Sequence, residues 1–287
     1  MENERLVTFD PASKLSVVLV DCADAAAQLA RGHLSGPVAS VYLSQALAGV
    51  ALLGAETSQT DETVTFRLDT ADSPLGGFLV EATETGTLRG YTKKKILGDL
   101  DGMGVPKDSD ALGKSGTFEV LRSVPGEILA SGAVGVMFNG KSGFIAQGLD
   151  VYFAQSLQRR VRVALAGAAG DDGTPTLARG VMVECPPDGD VAVYSAVAEA
   201  FDSGAAFKSI AGASFSPRTV FKKLGLPNLE IRATMPLSFA CRCSASRAEA
   251  LLATIPPNER ATLPETVDIT CHMCGRTWQI NNKDRPE

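Results

Sequence analysis

The chain has 287 residues, a formal charge of −6, 45% hydrophobic and 21% charged residues. These are proportions of an ordinary folded globular protein with room for a sizeable core plus one or two smaller units. The acidic balance argues against nucleic acid as the main partner, since Lys93-Lys94-Lys95 is the only basic cluster and is too short for a phosphate-binding stripe.

Residues 15–20 are apolar and β-branched between Pro11 and Asp21, which predicts a strand. Asp21 is placed to cap a helix over 23–31 that ends at Gly32. A second helix is expected over 37–53, where Val38, Val41, Tyr42, Ala46, Val50 and Leu53 recur at helical spacing and Gly54 stops it. His33 falls in the connection; a lone loop histidine is usually a hydrogen-bonding or surface residue, and no chemistry is assigned to it. No stretch reads as a membrane span of about 20 apolar residues, and no export signal is evident. The thiols are therefore expected in a reducing cytoplasm.

From residue 62 the period becomes two: Val64, Phe66 and Leu68 face one way, Thr65, Arg67 and Asp69 the other. Further strands are expected at 77–82, 87–91, 116–121, 132–138, 161–165 and 178–185, with a helix over 148–158. No crossover helices separate them. The fold class is α+β, a mixed and largely antiparallel sheet domain with packed helices, followed by a helical connector and a small C-terminal four-cysteine domain. Pro186-Pro187-Asp188-Gly189 marks a break, and short, weakly packed helices follow at 191–201, 206–211 and 217–224. The expected division is 1–188, 189–228 and 229–287. In the last unit, strands over 229–232 and 237–239 lead into Cys241, and Ser244 caps a helix to about residue 255. A strand over 267–270 then feeds Cys271, and Trp278 and Ile280 alternate beyond Cys274.

Several motifs can be set aside. Gly135-Val136-Met137-Phe138-Asn139-Gly140-Lys141-Ser142 matches the spacing of a phosphate-binding loop, but its bulky middle suits a strand and turn. No strand ending in Asp stands ready to hold Mg²⁺. A hydrolytic triad would have to use His33, and no serine lies in a nucleophile elbow. Asp171-Asp172 and Asp99/Asp101 read as solvated turns. Cys22 and Cys185 read as small buried apolar residues.

Four of the six cysteines form two tight pairs, Cys241-Arg242-Cys243 and Cys271-His272-Met273-Cys274. Two such pairs can place four sulfurs around one Zn²⁺. The Cys-x-Cys pair is unusual for a purely structural site, and each pair can close on itself as a disulfide. A nucleic-acid module is disfavoured. In 241–287, Arg242, Arg247, Arg260, Arg276, Lys283 and Arg285 balance Glu249, Glu259, Glu265, Asp268, Asp284 and Glu287. A structural zinc ribbon and a thiol–disulfide oxidoreductase remain as alternatives, the latter without a thioredoxin-like βαβ context.

These residues resemble the redox-regulated heat-shock chaperone family, heat-shock protein thirty-three, in Cys-x-Cys, spacer and Cys-x-x-Cys. Leu237–Ser244 is similar to the family's entry into its zinc domain, and Trp278 stands where an aromatic is usual. Leu75–Ala82 with Leu88–Tyr91 is similar to its sheet motif, and Tyr152–Gln158 to its Tyr-Phe…Ser-Glu-Gln segment, with Leu157 in place of Glu. Glu184 stands near an expected Gln, and the connector is less charged than is usual. The resemblance implies an ATP-independent holdase for unfolding client proteins in stress, not an enzyme. It would hold one Zn²⁺ per chain on Cys241, Cys243, Cys271 and Cys274 when reduced. Oxidation to Cys271–Cys274 and Cys241–Cys243 disulfides, the second more strained, would release the metal and loosen the connector. The resemblance further implies a homodimer when oxidised, with no role for nucleic acid or membrane.

Overall fold

The computed structural model describes residues 1–104 and 106–282; Lys283, Asp284, Arg285 and Glu287, used in the charge balance above, lie outside them. In chain order come β1 (Glu4–Phe9), β2 (Ser16–Asp21), α1 (Ala23–His33), α2 (Pro37–Leu53), β3 (Thr63–Asp69), β4 (Gly77–Thr83) and β5 (Thr87–Thr92). Then follow α3 (Asp108–Ala111), β6 (Ser115–Val124), β7 (Glu127–Met137), α4 (Phe144–Gln155), β8 (Arg160–Ala169) and β9 (Pro175–Cys185). The remainder is α5 (Val191–Asp202), α6 (Ala205–Ala211), α7 (Pro217–Lys223), β10 (Glu230–Pro236), β11 (Ser238–Phe239), α8 (Ala245–Ala253), α9 (Pro257–Arg260), β12 (Thr266–Thr270) and β13 (Thr277–Asn281).

One sheet has the order β10-β1-β2-β9-β8, a second β11-β5-β4-β3-β6-β7, and β12-β13 form a separate hairpin. Every pairing is antiparallel except that of β11 with β5. Helix α2 lies between the two large sheets, against β8 and β9 on one side and β3, β4 and β5 on the other. This position explains a sequence feature read incompletely above. The segment Pro37–Glu56 is long and apolar enough to cross a membrane, contrary to the expectation, yet 89% of its most apolar 18-residue stretch is buried inside the protein. A helix apolar all round belongs either in lipid or between two covering layers, and here two sheets cover it.

The first sheet is apolar on both faces. In β2, Val18 and Val20 join the central core with α2, whereas Val17 and Leu19 join a second cluster on the outer face. That is why Val17-Val18-Leu19-Val20 runs without alternation, while β3, solvated on one side, alternates. The outer cluster is closed by the connector: Val197 and Phe201 of α5, Ala206 and Ile210 of α6, and Val220 and Phe221 of α7 are all buried there. The short helices are thus better packed than their Gly and Pro content suggests, because the sheet supplies the core they lack.

Other elements deviate in detail. Strand β1 was not expected; it pairs β2 with β10, so Glu230–Pro236 is bonded into the first sheet. Helix α1 runs on through His33 and ends at a left-handed Leu34, not at Gly32. Its N-cap is Cys22; Asp21 accepts from the Ala23 amide at 3.3 Å and faces Arg179 at 2.9 Å. Helix α4 begins four residues before the expected start, because the Asp108 carboxylate accepts the Phe144 amide at 2.7 Å and caps it from a distance in sequence.

Candidate metal centre

The Cys-x-Cys pair lies between β11 and α8. Pairing of Ser238 and Phe239 with Thr87 and Leu88, and the Ala240 amide bonded to the Leu88 carbonyl at 3.3 Å, lead the chain up to Cys241 along β5. Ser244 ends the segment by accepting the Arg247 amide at 3.2 Å, the expected cap of α8. The second pair occupies the turn of the β12–β13 hairpin. The Cys271 carbonyl accepts the amides of Cys274 at 3.4 Å and Gly275 at 2.8 Å, and the Cys271 amide donates to the Arg276 carbonyl at 2.9 Å. Gly275 has φ +73°, which closes this turn and favours glycine.

Folding brings the two pairs together. The four Sγ atoms all lie within 4.8 Å of one another. Across the pairs, Cys241 and Cys271 stand 3.8 Å apart and Cys243 and Cys274 3.5 Å apart. A tetrahedron of Zn–S bonds of about 2.3 Å has sulfur–sulfur edges of about 3.8 Å, so the donor set fits that ion in both chemistry and size. Electrostatics point the same way. Burial pushes the Cys241 thiol up, but bonds from the Cys243 backbone and the neighbouring thiols outweigh it and bring it down to about 7. Burial raises Cys274 and Cys271. Four thiolates this close repel one another, and a dication is what allows all four to ionise together.

Cys274 is buried and the other three are half-buried. Cys241, Cys243 and Cys271 line an open cleft of 310 Å³ with Arg89, Arg247, Leu251 and Trp278. Trp278 packs with Ala248, Leu252 and Ile280, the small core of this unit.

Other sequence-selected residues fall elsewhere. His33 Nε2 donates to the Gly90 carbonyl at 2.9 Å, and burial together with nearby Lys95 pushes its pKa down. Cys22 and Cys185 are buried and separate from the four. Gly135–Met137 belong to β7, and the loop amides beyond are taken: Asn139 donates to Gln147 at 3.1 Å and Lys141 to Asn139 at 2.9 Å. With the Asp108 carboxylate already seated at the start of α4, this loop offers no cradle for phosphate. Asp172 caps Thr174 at 2.9 Å, and Asp101 accepts the amides of Val38 at 3.1 Å and Leu97 at 2.6 Å, so these carboxylates serve turns and a helix start. Glu184 pairs with Arg159 at 2.6 Å; nothing in the structure explains Leu157, which is exposed after α4. Gly32, Arg89 and Gly90, which the sequence marked as a helix end and part of a sheet motif but not as site residues, border the cysteines from the N-terminal side; their proximity arises from contacts far apart in sequence.

Two large sheets around an apolar helix, helices on the outer face of one sheet, and a tetrathiol cluster in the tail define an α+β protein with four cysteines placed so that they could hold a metal ion. The family model described as Hsp33 protein matches residues 6–281. The 33 kDa chaperonin of Symbiobacterium thermophilum is 29% identical over 88% of this chain and 86% of its own. That of Thermus thermophilus is 29% identical over 94% and 82% respectively. The solved 33 kDa chaperonin of Thermotoga maritima superposes with a TM-score of 0.82 at 18% identity, covering 99% of this chain and 96% of that one. The chain belongs to the Hsp33 family, whose members are chaperones and not enzymes.

Proposed function

We propose that this protein is an ATP-independent holdase switched on by oxidation of Cys241, Cys243, Cys271 and Cys274. The observation that carries the reading is the clustering of four sulfurs within 4.8 Å in a chain of a chaperone family. When reduced, one Zn²⁺ per chain is held by the four thiolates and supplies binding energy that keeps the C-terminal unit folded. The cleft leaves three of the sulfurs open to a small oxidant. Each disulfide formed takes two electrons from two thiolates; with hypochlorous acid the other products are chloride and hydroxide, which the buffer protonates to water. Pairing Cys271 with Cys274 and Cys241 with Cys243 removes the ligand set. The C-terminal unit then loses its order and no longer steadies the connector. Residues 189–228 peel from residues 1–188, uncovering the outer apolar face of the first sheet for unfolding clients. The active form is a homodimer working in the cytoplasm, without nucleic acid or membrane.

The test is zinc content and suppression of citrate synthase aggregation before and after hypochlorous acid. One zinc per chain when reduced, with metal loss and holdase activity appearing together, is the expected result. Zinc retained throughout with no gain of activity would return the cysteines to a structural role.

A further inference from the structure

The second cysteine loop is pressed against the N-terminal body. Gly32, in the last turn of α1, is so close to the Cys274 carbonyl that a Cβ there would lie 2.5 Å from its oxygen. From the other side, a Cβ on Gly275 would lie 2.0 Å from the Gly32 carbonyl oxygen. The Gly90 amide on β5 donates to the Met273 carbonyl at 3.1 Å. His33 braces the same place by donating to the Gly90 carbonyl, and the rings of Tyr91 and His272 meet edge to face at 6.1 Å. Backbone thus meets backbone along Met273, Cys274 and Gly275, with no side chain between. Cys274, the ligand at this contact, is 4% exposed.

We propose that the metal site is completed by the body: Gly32 of α1 and Gly90 of β5 are positioning residues that hold the Cys271–Gly275 loop in its chelating turn and shield Cys274. The proposal rests on the reading of the four cysteines as metal ligands, and not on oxidation or holdase activity. The hairpin that carries the loop belongs to a unit with a small core, so its geometry depends on what it leans on. Groups outside the ligand set that fix ligand orientation tune metal retention, and these contacts fix the backbone on which Cys274 is carried. Arg89, also on β5 and paired with Glu81 at 2.5 Å, reaches the Cys241 thiol and supports the other cysteine pair in the same way. The coupling is reciprocal: a dock that favours the metal-bound loop is itself favoured by the metal.

The decisive variant is Gly32→Ala in the full chain. Gly32 has no left-handed backbone, and alanine is the better helix former, so a role confined to α1 predicts unchanged or greater stability and unchanged metal retention. The dock predicts that zinc passes to a competing chelator about tenfold faster under reducing conditions. Amide exchange at Gly90 should rise with it, while the Lys93 amide, bonded to Gly77 at 2.9 Å, stays protected. Gly102→Ala, with nothing within 4 Å of its added methyl, is the control. The wild type gives a second measurement needing no variant: stripping zinc should speed exchange at Gly90 and not at Lys93. A zinc-loaded protein in which neither treatment moves Gly90 exchange would overturn the dock alone. A reduced wild type that holds no zinc would overturn the metal reading and the dock with it.

Discussion

The body and the C-terminal unit solve the same problem with different means. Around α2 the body buries Phe66, Phe78, Phe118, Phe144 and Phe153 completely, together with dozens of aliphatic groups, and a second cluster under the connector adds to them. Among the described residues the C-terminal unit buries only Ala248, Leu252 and Ile280 in its own core, with Trp278 and a few others half-covered. A core so small cannot offset the conformational entropy of ordering a helix and a hairpin. The ordering energy must come from the thiol cluster and from leaning on the body. One region is stable by packing; on the function proposed above the other is stabilised by ligation, which chemistry that leaves packing untouched can reverse.

The sharpest way to break this contrast is Cys274→Ser. Residues 244–282 should lose amide protection outright, whereas the body's main thermal transition stays in place; hydrogen exchange with mass spectrometry separates the two. Protection surviving in the tail would mean that it folds without its ligand set. Next in size, Phe66→Ala removes a ring that meets Phe78 at 5.1 Å and Phe118 at 5.8 Å. Calorimetry should show the body losing about 3–5 kcal/mol while zinc content below the transition is unchanged.

The smallest effect lies where body and connector meet. Asp150 of α4 accepts from Arg162 at 3.1 Å, and Arg162 reaches on to Asp202 of α5 at 2.6 Å. Burial pushes the Asp150 carboxyl up to about 7, against the pull of Arg162. A folded value above the unfolded one means that the native state binds more protons between them. Stability from this group is therefore present at low pH and is lost as pH rises towards 7. Urea midpoints of the wild type should carry a loss on the order of 2 kcal/mol between pH 5 and 7 that Asp150→Asn lacks. Equal pH slopes in the two proteins would show that Asp150 stays ionised throughout.

The strands from β3 to β9 were legible because local periodicity and turn residues coincide there, and the four cysteines because their spacing is itself the chemistry. Strand β1 was missed: Glu4–Phe9 is short and carries Glu4 and Arg5, and its partners β2 and β10 flank it in space, not in sequence. The start of α4 was misplaced because its cap, Asp108, lies far upstream. The span-like character of α2 went unread because helical spacing drew attention to one face, although every face is apolar and covered.

By itself the sequence marked the four cysteines that could hold a metal and most of the strands and helices, since those depend on residue type and near neighbours. Only the tertiary structure decided that the connector closes the outer face of the first sheet and that the sulfurs of the two pairs interleave. It also decided that Gly32 and Gly90 stand under the second cysteine loop. Those facts depend on which distant surfaces fit together, and a missing Cβ that permits backbone to touch backbone leaves no pattern along the chain.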